Sequence, residues 1–207
     1  MDFNFLSTPK IVCQSGGLSQ LGTLMQGLGA TRVLVISDPG IVACGFATEA
    51  LGALASAGLA AEVFDKVEAD PPVAVVGLAV EAARAFRADG IVGLGGGSSL
   101  DTAKVVAAAA ASGQPVAEMI GVDRVTGKRL PLIQVPTTAG TGAEVGRAFV
   151  DAYYAYGPAL AKRVDRSARL KHATRAVLPS MVDRREGTIV SISSDAGFGE
   201  FRMGDYG

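Results

Sequence analysis

Short runs of β-branched residues alternate with alanine-rich helical stretches along the first two thirds of the chain. Three of these runs have the length and apolar character of buried strands, and they cover Val33–Ile36, Ile91–Leu94 and Leu132–Val135. Ala61–Phe64 predicts a further, weaker strand. The intervening patterns predict helices over about 41–58, 71–88 and 99–112. Such an alternation predicts an α/β fold in which helices cover both faces of a mostly parallel sheet.

The character of the sequence changes near residue 147. Residues 1–146 contain 9 basic and 13 acidic side chains, whereas residues 147–207 contain 10 basic and 7 acidic ones. Beyond this point the spacing of Leu170, Ala173 and Val177 predicts a helix, and a later apolar run predicts one strand. We therefore expect a domain over 1–146, followed by a short α/β tail over 147–207 that forms an incomplete domain.

Composition excludes several classes of function. Hydrophobic residues make up 49% of the chain and the net charge is -1, which indicates a folded protein and argues against binding to nucleic acid or to an anionic membrane. We see neither a leader peptide nor a membrane-spanning run, so we expect a cytoplasmic protein. Cys13 and Cys44 are too few for a disulfide scaffold, and His172, the single histidine, excludes a site built from several histidines of one chain.

A glycine-rich loop lies between the third predicted strand and the helix that follows it. Gly95, Gly96 and Gly97 allow the backbone to approach an oxyanion closely, and the first amides of the next helix lack internal partners. A diphosphate therefore fits at this helix N-terminus. Ser98 and Asp101 have the spacing of a capping box, with aspartate in place of glutamate. A tight turn with a helix cap is the alternative interpretation.

Polar residues also follow two other predicted strands. Thr137, Thr138 and Thr141 come after the fourth strand, where their hydroxyls could donate to phosphate or ribose oxygens. An ordinary threonine- and glycine-rich turn is the alternative. Asp38 follows the first strand, where a carboxylate can accept hydrogen bonds from ribose hydroxyls and repel a 2′-phosphate. Its alternative role is to cap a helix before Pro39.

The two motifs, at Gly95–Lys104 and Pro136–Val145, lie about 40 residues apart and together resemble the signature stretches of the iron-containing (group III) alcohol dehydrogenase family. The segments 35–38 and 68–72 also match that family, and the resemblance covers about 8–146. It implies a Rossmann-like domain that binds NAD, with NADP less favoured. It also implies an oxidoreductase acting on small alcohols, aldehydes or related substrates such as maleylacetate.

The resemblance also implies roles for particular residues. Gly96, Gly97 and Ser98, together with the neighbouring Gly95 and Asp101, would form the diphosphate site. The threonines of the second loop, Thr137, Thr138 and Thr141, would contact the phosphates and the nicotinamide end. Asp38 would favour NAD over NADP.

The family's metal site has no counterpart in the sequence. In the family, a helical second domain supplies one aspartate and three histidines to a divalent iron or zinc ion, which polarises the alcohol oxygen. Here the similarity ends near Val145, and His172 is the only histidine in the rest of the sequence. We therefore expect no metal ligands in this chain, and whether it is an enzyme by itself stays open.

Residues 173–197 resemble a different family, the short-chain dehydrogenases/reductases. In that family a strand ends in a catalytic serine, and a tyrosine about a dozen residues later acts as the acid/base with the help of a lysine. Ser194 and Tyr206 match the first two positions, but the lysine is absent. A strand-end hydroxyl and a surface tyrosine are the alternative interpretations.

Three hypotheses follow from the sequence. The chain is a member of the iron-containing alcohol dehydrogenase family, a non-catalytic NAD-binding module produced by truncation or fusion, or a fragment of a short-chain dehydrogenase. The sequence does not identify the substrate, and it leaves a homo-oligomer open.

Overall fold

The computed structural model describes residues 10–120, 124–139 and 141–144, together with the backbone of 188–193. Within these residues, six strands form one sheet: β1 (Lys10–Gln14), β2 (Arg32–Ile36), β3 (Ala60–Phe64), β4 (Gly90–Gly95), β5 (Leu132–Pro136) and β6 (Thr188–Ser193). Five α-helices accompany them: α1 (Leu21–Gly27), α2 (Pro39–Ala43), α3 (Phe46–Ser56), α4 (Val73–Phe86) and α5 (Gly97–Ser112). Two short 3-10 helices cover Gly17–Gln20 and Val116–Met119.

The sheet is mostly parallel, as the alternation of strands and helices predicts. Its strand order is β1-β6-β5-β4-β2-β3, and the four strands from β2 to β5 pair in parallel. Only β6 runs the other way, and it pairs antiparallel with both β5 and β1. Since β6 belongs to the predicted tail, the tail contributes a strand to the sheet of the first domain. The predicted helix near 170–177 lies outside the described residues, and the domain boundary near 147 stays a prediction.

Helices cover both faces of the sheet, which confirms the predicted fold class. On one face, α4 and α5 bury a core with side chains of β2, β4 and β5, among them Leu34, Ile91 and Leu132. On the other face, α1 and α3 bury a second core that includes Val33 and Val92. Successive residues of a strand point to opposite faces, so a strand covered on both sides must be apolar at nearly every position. This explains the continuous apolar runs in the sequence.

Two local features depart from the predicted elements. The single helix expected over 41–58 is two helices, because Gly45 adopts a φ of +85° and interrupts the chain between α2 and α3. Helix α1 was not predicted, and its glycines explain why. A Cβ on Gly22 would contact the carbonyl of Ala53 and would lie 2.5 Å from the Cβ of Ala57. Glycine therefore serves the close packing of α1 against α3 at the expense of helix propensity.

Helix α5 packs closely over the centre of the sheet. A Cβ on Gly93 in β4 would lie 2.9 Å from the Cβ of Ala103 and would overlap the side-chain amide of Gln134. Ten of the sixteen residues of α5 are buried. The helix is therefore fixed in position by the core. In the described part of the chain, no helix is long and apolar enough to cross a membrane.

The side chain of Asp89 links the start of β4 to the start of β2. Its Oδ1 accepts hydrogen bonds from the backbone amides of Thr31 and Arg32, at 2.8 and 2.6 Å, and its Oδ2 accepts one from the Thr31 hydroxyl at 2.5 Å. Partial burial raises the pKa of the Asp89 carboxyl, but the hydrogen bonds from Thr31 and Arg32 outweigh burial, so the pKa is lowered overall.

We expect Asp89→Asn to lower the free energy of unfolding by about 1–2 kcal/mol at pH 7, since an amide replaces a charged acceptor. A carboxyl whose folded-state pKa is depressed stabilises the fold above its unfolded pKa of about 3.9, and this contribution is lost as pH falls through the folded pKa. Urea unfolding at pH 7 and pH 3 should therefore show a smaller difference between wild type and variant at pH 3. The exposed Glu81 on α4 offers a control, Glu81→Gln. A difference that does not change with pH would contradict this role for Asp89.

Candidate dinucleotide-binding site

The three predicted polar segments meet at one edge of the sheet. Strands β2, β4 and β5 are parallel neighbours, so the residues that follow them emerge on the same side. The amide of Thr137 donates to the carbonyl of Gly95 at 2.9 Å, and the hydroxyl of Ser37 donates to the carbonyl of Leu94 at 2.8 Å. These bonds join the end of β4 to the ends of both neighbours. The edge has the position at which open α/β sheets bind ligands.

Gly95 is the glycine that the backbone itself requires. Its φ of +147° lies in a region that other residues rarely adopt. A Cβ at this position would also lie 2.8 Å from Oγ of Ser99 and 3.0 Å from Oδ2 of Asp38. Both the torsion angle and the space around it therefore exclude a side chain.

Gly96 and Gly97 have a different reason to be glycine. Gly96 is the N-cap of α5 and has an ordinary extended conformation, with φ −79° and ψ −174°. A Cβ on Gly96 would lie 3.5 Å from Oγ1 of Thr138, and one on Gly97 would lie 3.1 Å from Cγ2 of Thr141. The space around Gly96 therefore admits a small side chain, so the fold by itself does not require glycine at this position.

The N-terminus of α5 has no side-chain cap among the described residues. The interpretation of Ser98 and Asp101 as a capping box is therefore wrong. The helix begins earlier than that spacing assumes, at Gly97, which places Ser98 inside the first turn. The hydroxyl of Ser98 accepts a bond from the amide of Asp70 at 3.3 Å, while Asp101 forms an ion pair with Nζ of Lys104 at 2.5 Å. The first amides of α5 have no acceptor within the helix itself, and the helix dipole favours an anion there.

Asp38 performs the capping role that was its alternative interpretation. Its Oδ1 accepts a hydrogen bond from the amide of Ile41 at 3.1 Å and caps α2. Its Oδ2 accepts one from the hydroxyl of Ser99 at 3.2 Å. Both carboxylate oxygens therefore have partners. Each oxygen also has lone pairs left for a ligand, so the capping role does not exclude contact with a ribose.

The threonine loop lies beside the glycine loop. Thr138 and Thr141 approach Gly96 and Gly97, and both threonines are exposed. The hydroxyl of Thr141 accepts a bond from the amide of Ala143 at 3.3 Å, so the second motif does form a turn. Thr137 joins it to β4 through its backbone. Two motifs that are far apart in sequence therefore line one surface.

Two residues at this edge had no assigned role in the sequence analysis. Ser99 is 1% exposed and contacts Asp38, and Asp70 joins the loop after β3 to α5 through Ser98. The sequence contains a hint of Asp70, since it lies in a segment that matches the family, 68–72. Nothing in the sequence indicates a role for Ser99, because a serine in the first turn of a helix is common.

The scan against family models decides the identity of this fold. The model described as "Iron-containing alcohol dehydrogenase" matches residues 8–152. The chain belongs to the iron-containing alcohol dehydrogenase family. The NAD-dependent methanol dehydrogenase of Bacillus methanolicus is 33% identical over 141 residues, which cover 68% of this chain and 37% of that protein. The chain thus spans little more than a third of this relative's length.

Solved structures give the same result. A 1,3-propanediol oxidoreductase superposes with a TM-score of 0.66 at 30% identity, over 71% of this chain and 38% of that one. The sulfoacetaldehyde reductase of Bifidobacterium kashiwanohense, solved in complex with NAD⁺, superposes with a TM-score of 0.62 at 26% identity, over 70% and 38% of the two chains.

The metal of iron-containing alcohol dehydrogenases has no group of ligands in the described residues. Within these residues, no three His, Cys, Asp or Glu side chains lie close enough together to hold an ion. A stable divalent site usually needs three or four protein ligands, so this part of the chain does not fit the metal.

The second resemblance, to short-chain dehydrogenases, is not supported by these comparisons. The family model ends at residue 152, well before the two residues on which that resemblance depends. Ser194 and Tyr206 both lie outside the described residues, so their catalytic roles stay predictions.

Proposed function

We propose that this chain contributes the NAD-binding part of an oxidoreductase that interconverts small alcohols and aldehydes by hydride transfer. One observation carries the proposal: three strand ends converge on the N-terminus of a long helix that has no side-chain cap among the described residues. Free amides and the positive end of a helix dipole together suit a diphosphate. Bound at this helix N-terminus, NAD would supply the hydride acceptor for alcohol oxidation, and its reduced form would supply the hydride donor for aldehyde reduction.

Each part of the edge has a proposed task. The amides at Gly96, Gly97 and Ser98 bind the diphosphate, and Gly95 provides the turn that aims them. The exposed hydroxyls of the threonine loop, from Thr137, Thr138 and Thr141, orient the phosphates and the nicotinamide end. Asp101 follows the first turn of α5, and its pairing with Lys104 avoids an uncompensated negative charge near the phosphates.

A non-catalytic NAD-binding module is the second candidate. The lack of a ligand group within the described residues favours it, because hydride transfer in this family needs a metal that stabilises the alkoxide. The hypothesis of a short-chain dehydrogenase fragment depends on residues outside the described part of the chain. Calorimetric titration of the purified chain with NAD tests both leading candidates, and no heat of binding at millimolar NAD would overturn both.

Turnover tests whether this chain is active by itself. We expect the 207-residue chain to bind NAD but to produce NADH from alcohols at a negligible rate, with or without added ferrous or zinc ions. The measurement is absorbance at the NADH wavelength, with a Gly96→Val variant as the background control. Metal-dependent NADH formation well above that background would overturn the module and support an active oxidoreductase.

Asp38, two residues beyond the end of β2, predicts which cofactor binds more tightly. The Asp38 carboxylate accepts hydrogen bonds from ribose hydroxyls and repels a 2′-phosphate, so NAD should bind more tightly than NADP. Asp38→Gly should narrow the ratio of the two dissociation constants about tenfold, which corresponds to about 1.4 kcal/mol. Glycine remains an acceptable N-cap for α2, so the variant should fold. A wild-type preference for NADP would contradict the role of Asp38.

A further inference from the structure

We propose that Ser99 is a positioning residue that fixes the carboxylate of Asp38 and thereby sets the preference for NAD over NADP. The inference rests on the proposed function, since it assumes that the edge formed by β2, β4 and β5 binds a dinucleotide. It adds a second residue to cofactor choice, on a different element from Asp38.

The contacts of Asp38 define its orientation. Oδ1 is held by the amide of Ile41 at 3.1 Å, and Oδ2 is held by the hydroxyl of Ser99 at 3.2 Å. One bond alone would leave the carboxylate free to turn about its Cβ–Cγ bond, a torsion with broad minima. Two bonds to opposite oxygens from two different elements fix the plane of the group.

Ser99 is well placed to act as an anchor. It lies in the first turn of α5 and is 1% exposed, so its side chain has little freedom. The helix behind it is held by the core, including the close approach of Ala103 to Gly93 at the centre of the sheet. The hydroxyl therefore transmits a fixed position from α5 to the end of β2.

The backbone of β4 makes room for this link. A Cβ on Gly95 would lie 2.8 Å from Oγ of Ser99 and 3.0 Å from Oδ2 of Asp38. The serine and the aspartate can meet only because the residue between them has no side chain. The glycine that ends β4 thus serves the contact between its neighbours as well as the turn.

The fixed carboxylate has a chemical consequence. An ionised carboxylate has about four lone-pair sites, and the protein uses one on each oxygen of Asp38. The remaining lone pairs point in fixed directions and can accept the two hydroxyls of a ribose without loss of rotational freedom. The 2′-phosphate of NADP would be repelled by the same charge, and the carboxylate could not rotate to reduce that repulsion. The fixed orientation of Asp38 therefore improves NAD binding and worsens NADP binding.

The test measures dissociation constants for NAD and NADP by calorimetry in the full chain. Ser99→Ala removes one oxygen and should weaken NAD binding about threefold to tenfold, as expected for one lost orienting bond, while NADP affinity stays the same or rises. Ser112→Ala is the matched control, because that serine lies at the other end of α5 and donates to the carbonyl of Ala108. It should leave the ratio of the two constants unchanged.

A double variant separates positioning from a purely structural effect. In an Asp38→Gly background, Ser99→Ala should change the NAD-to-NADP ratio less than about twofold, since no carboxylate is left to orient. An equal effect of Ser99→Ala in both backgrounds would overturn the inference, and so would a wild-type ratio that Ser99→Ala leaves intact. A wild-type chain that binds neither nucleotide would overturn the proposed function as well, so the two failures are distinguishable.

Discussion

Gly95→Ala is expected to lower the free energy of unfolding by about 3 kcal/mol and to abolish NAD binding. The φ of +147° at this position costs a residue with a side chain about 1–3 kcal/mol. The added methyl group would also lie 2.8 Å from Oγ of Ser99, and relief of such overpacking costs a similar amount. Chemical denaturation monitored by circular dichroism measures the first effect, and calorimetry with NAD measures the second.

The control for this variant is a glycine that has a positive φ and open surroundings. Gly58 also has a positive φ, of +76°, but a Cβ there would meet nothing within 4 Å. Gly58→Ala should therefore cost only about 1 kcal/mol and leave NAD affinity unchanged. If both variants lost the same stability, the contacts around Gly95 would have no energetic importance.

Gly96→Val is expected to abolish NAD binding while the protein stays folded. Gly96 has an ordinary backbone conformation, and a Cβ there would be 3.5 Å from Oγ1 of Thr138, so the fold itself tolerates a side chain. A branched side chain would occupy the space in which the diphosphate must approach the amides of α5. We expect the dissociation constant for NAD to rise at least about a hundredfold, which corresponds to about 2.7 kcal/mol.

Gly52→Val serves as the matched substitution. Gly52 is an exposed glycine within α3, and a Cβ there would meet nothing within 4 Å. Thermal melts should show both variants folded, and only Gly96→Val should lose NAD. Unchanged NAD affinity in a folded Gly96→Val variant would remove the diphosphate from this loop.

The sequence predicted β2, β4 and β5 because the burial of these inner strands leaves a direct mark on composition. A parallel strand buried on both faces must be apolar throughout, and Val33–Ile36 and Ile91–Leu94 are both apolar throughout. Strand β1 leaves no such mark, because most of its side chains are exposed and its pairing depends on β6, far away in the chain. Helix α1 was missed because packing against α3 selected a glycine over a helix-forming residue.

The candidate site was predictable in part for a similar reason. Glycines and threonines at strand ends are unusual enough to be noticed, so Gly95, Gly96 and the threonine loop were identified. The start of α5 was misplaced because a glycine N-cap leaves no capping side chain in the sequence. The link between Asp38 and Ser99 joins residues on separate elements, and only the three-dimensional arrangement brings such a pair together.

Helix α5 has both a structural role and a proposed binding role, and this limits how the protein can be redesigned. The N-terminus of the helix forms part of the candidate site, and ten of its residues are buried. A mutation in α5 that changes ligand binding therefore also changes the stability of the fold. In the segments after β2 and β5, Pro39, Thr137 and Thr138 are exposed, so substitutions at these positions leave the core intact. Libraries that aim at a new cofactor should therefore vary those two segments and leave α5 unchanged.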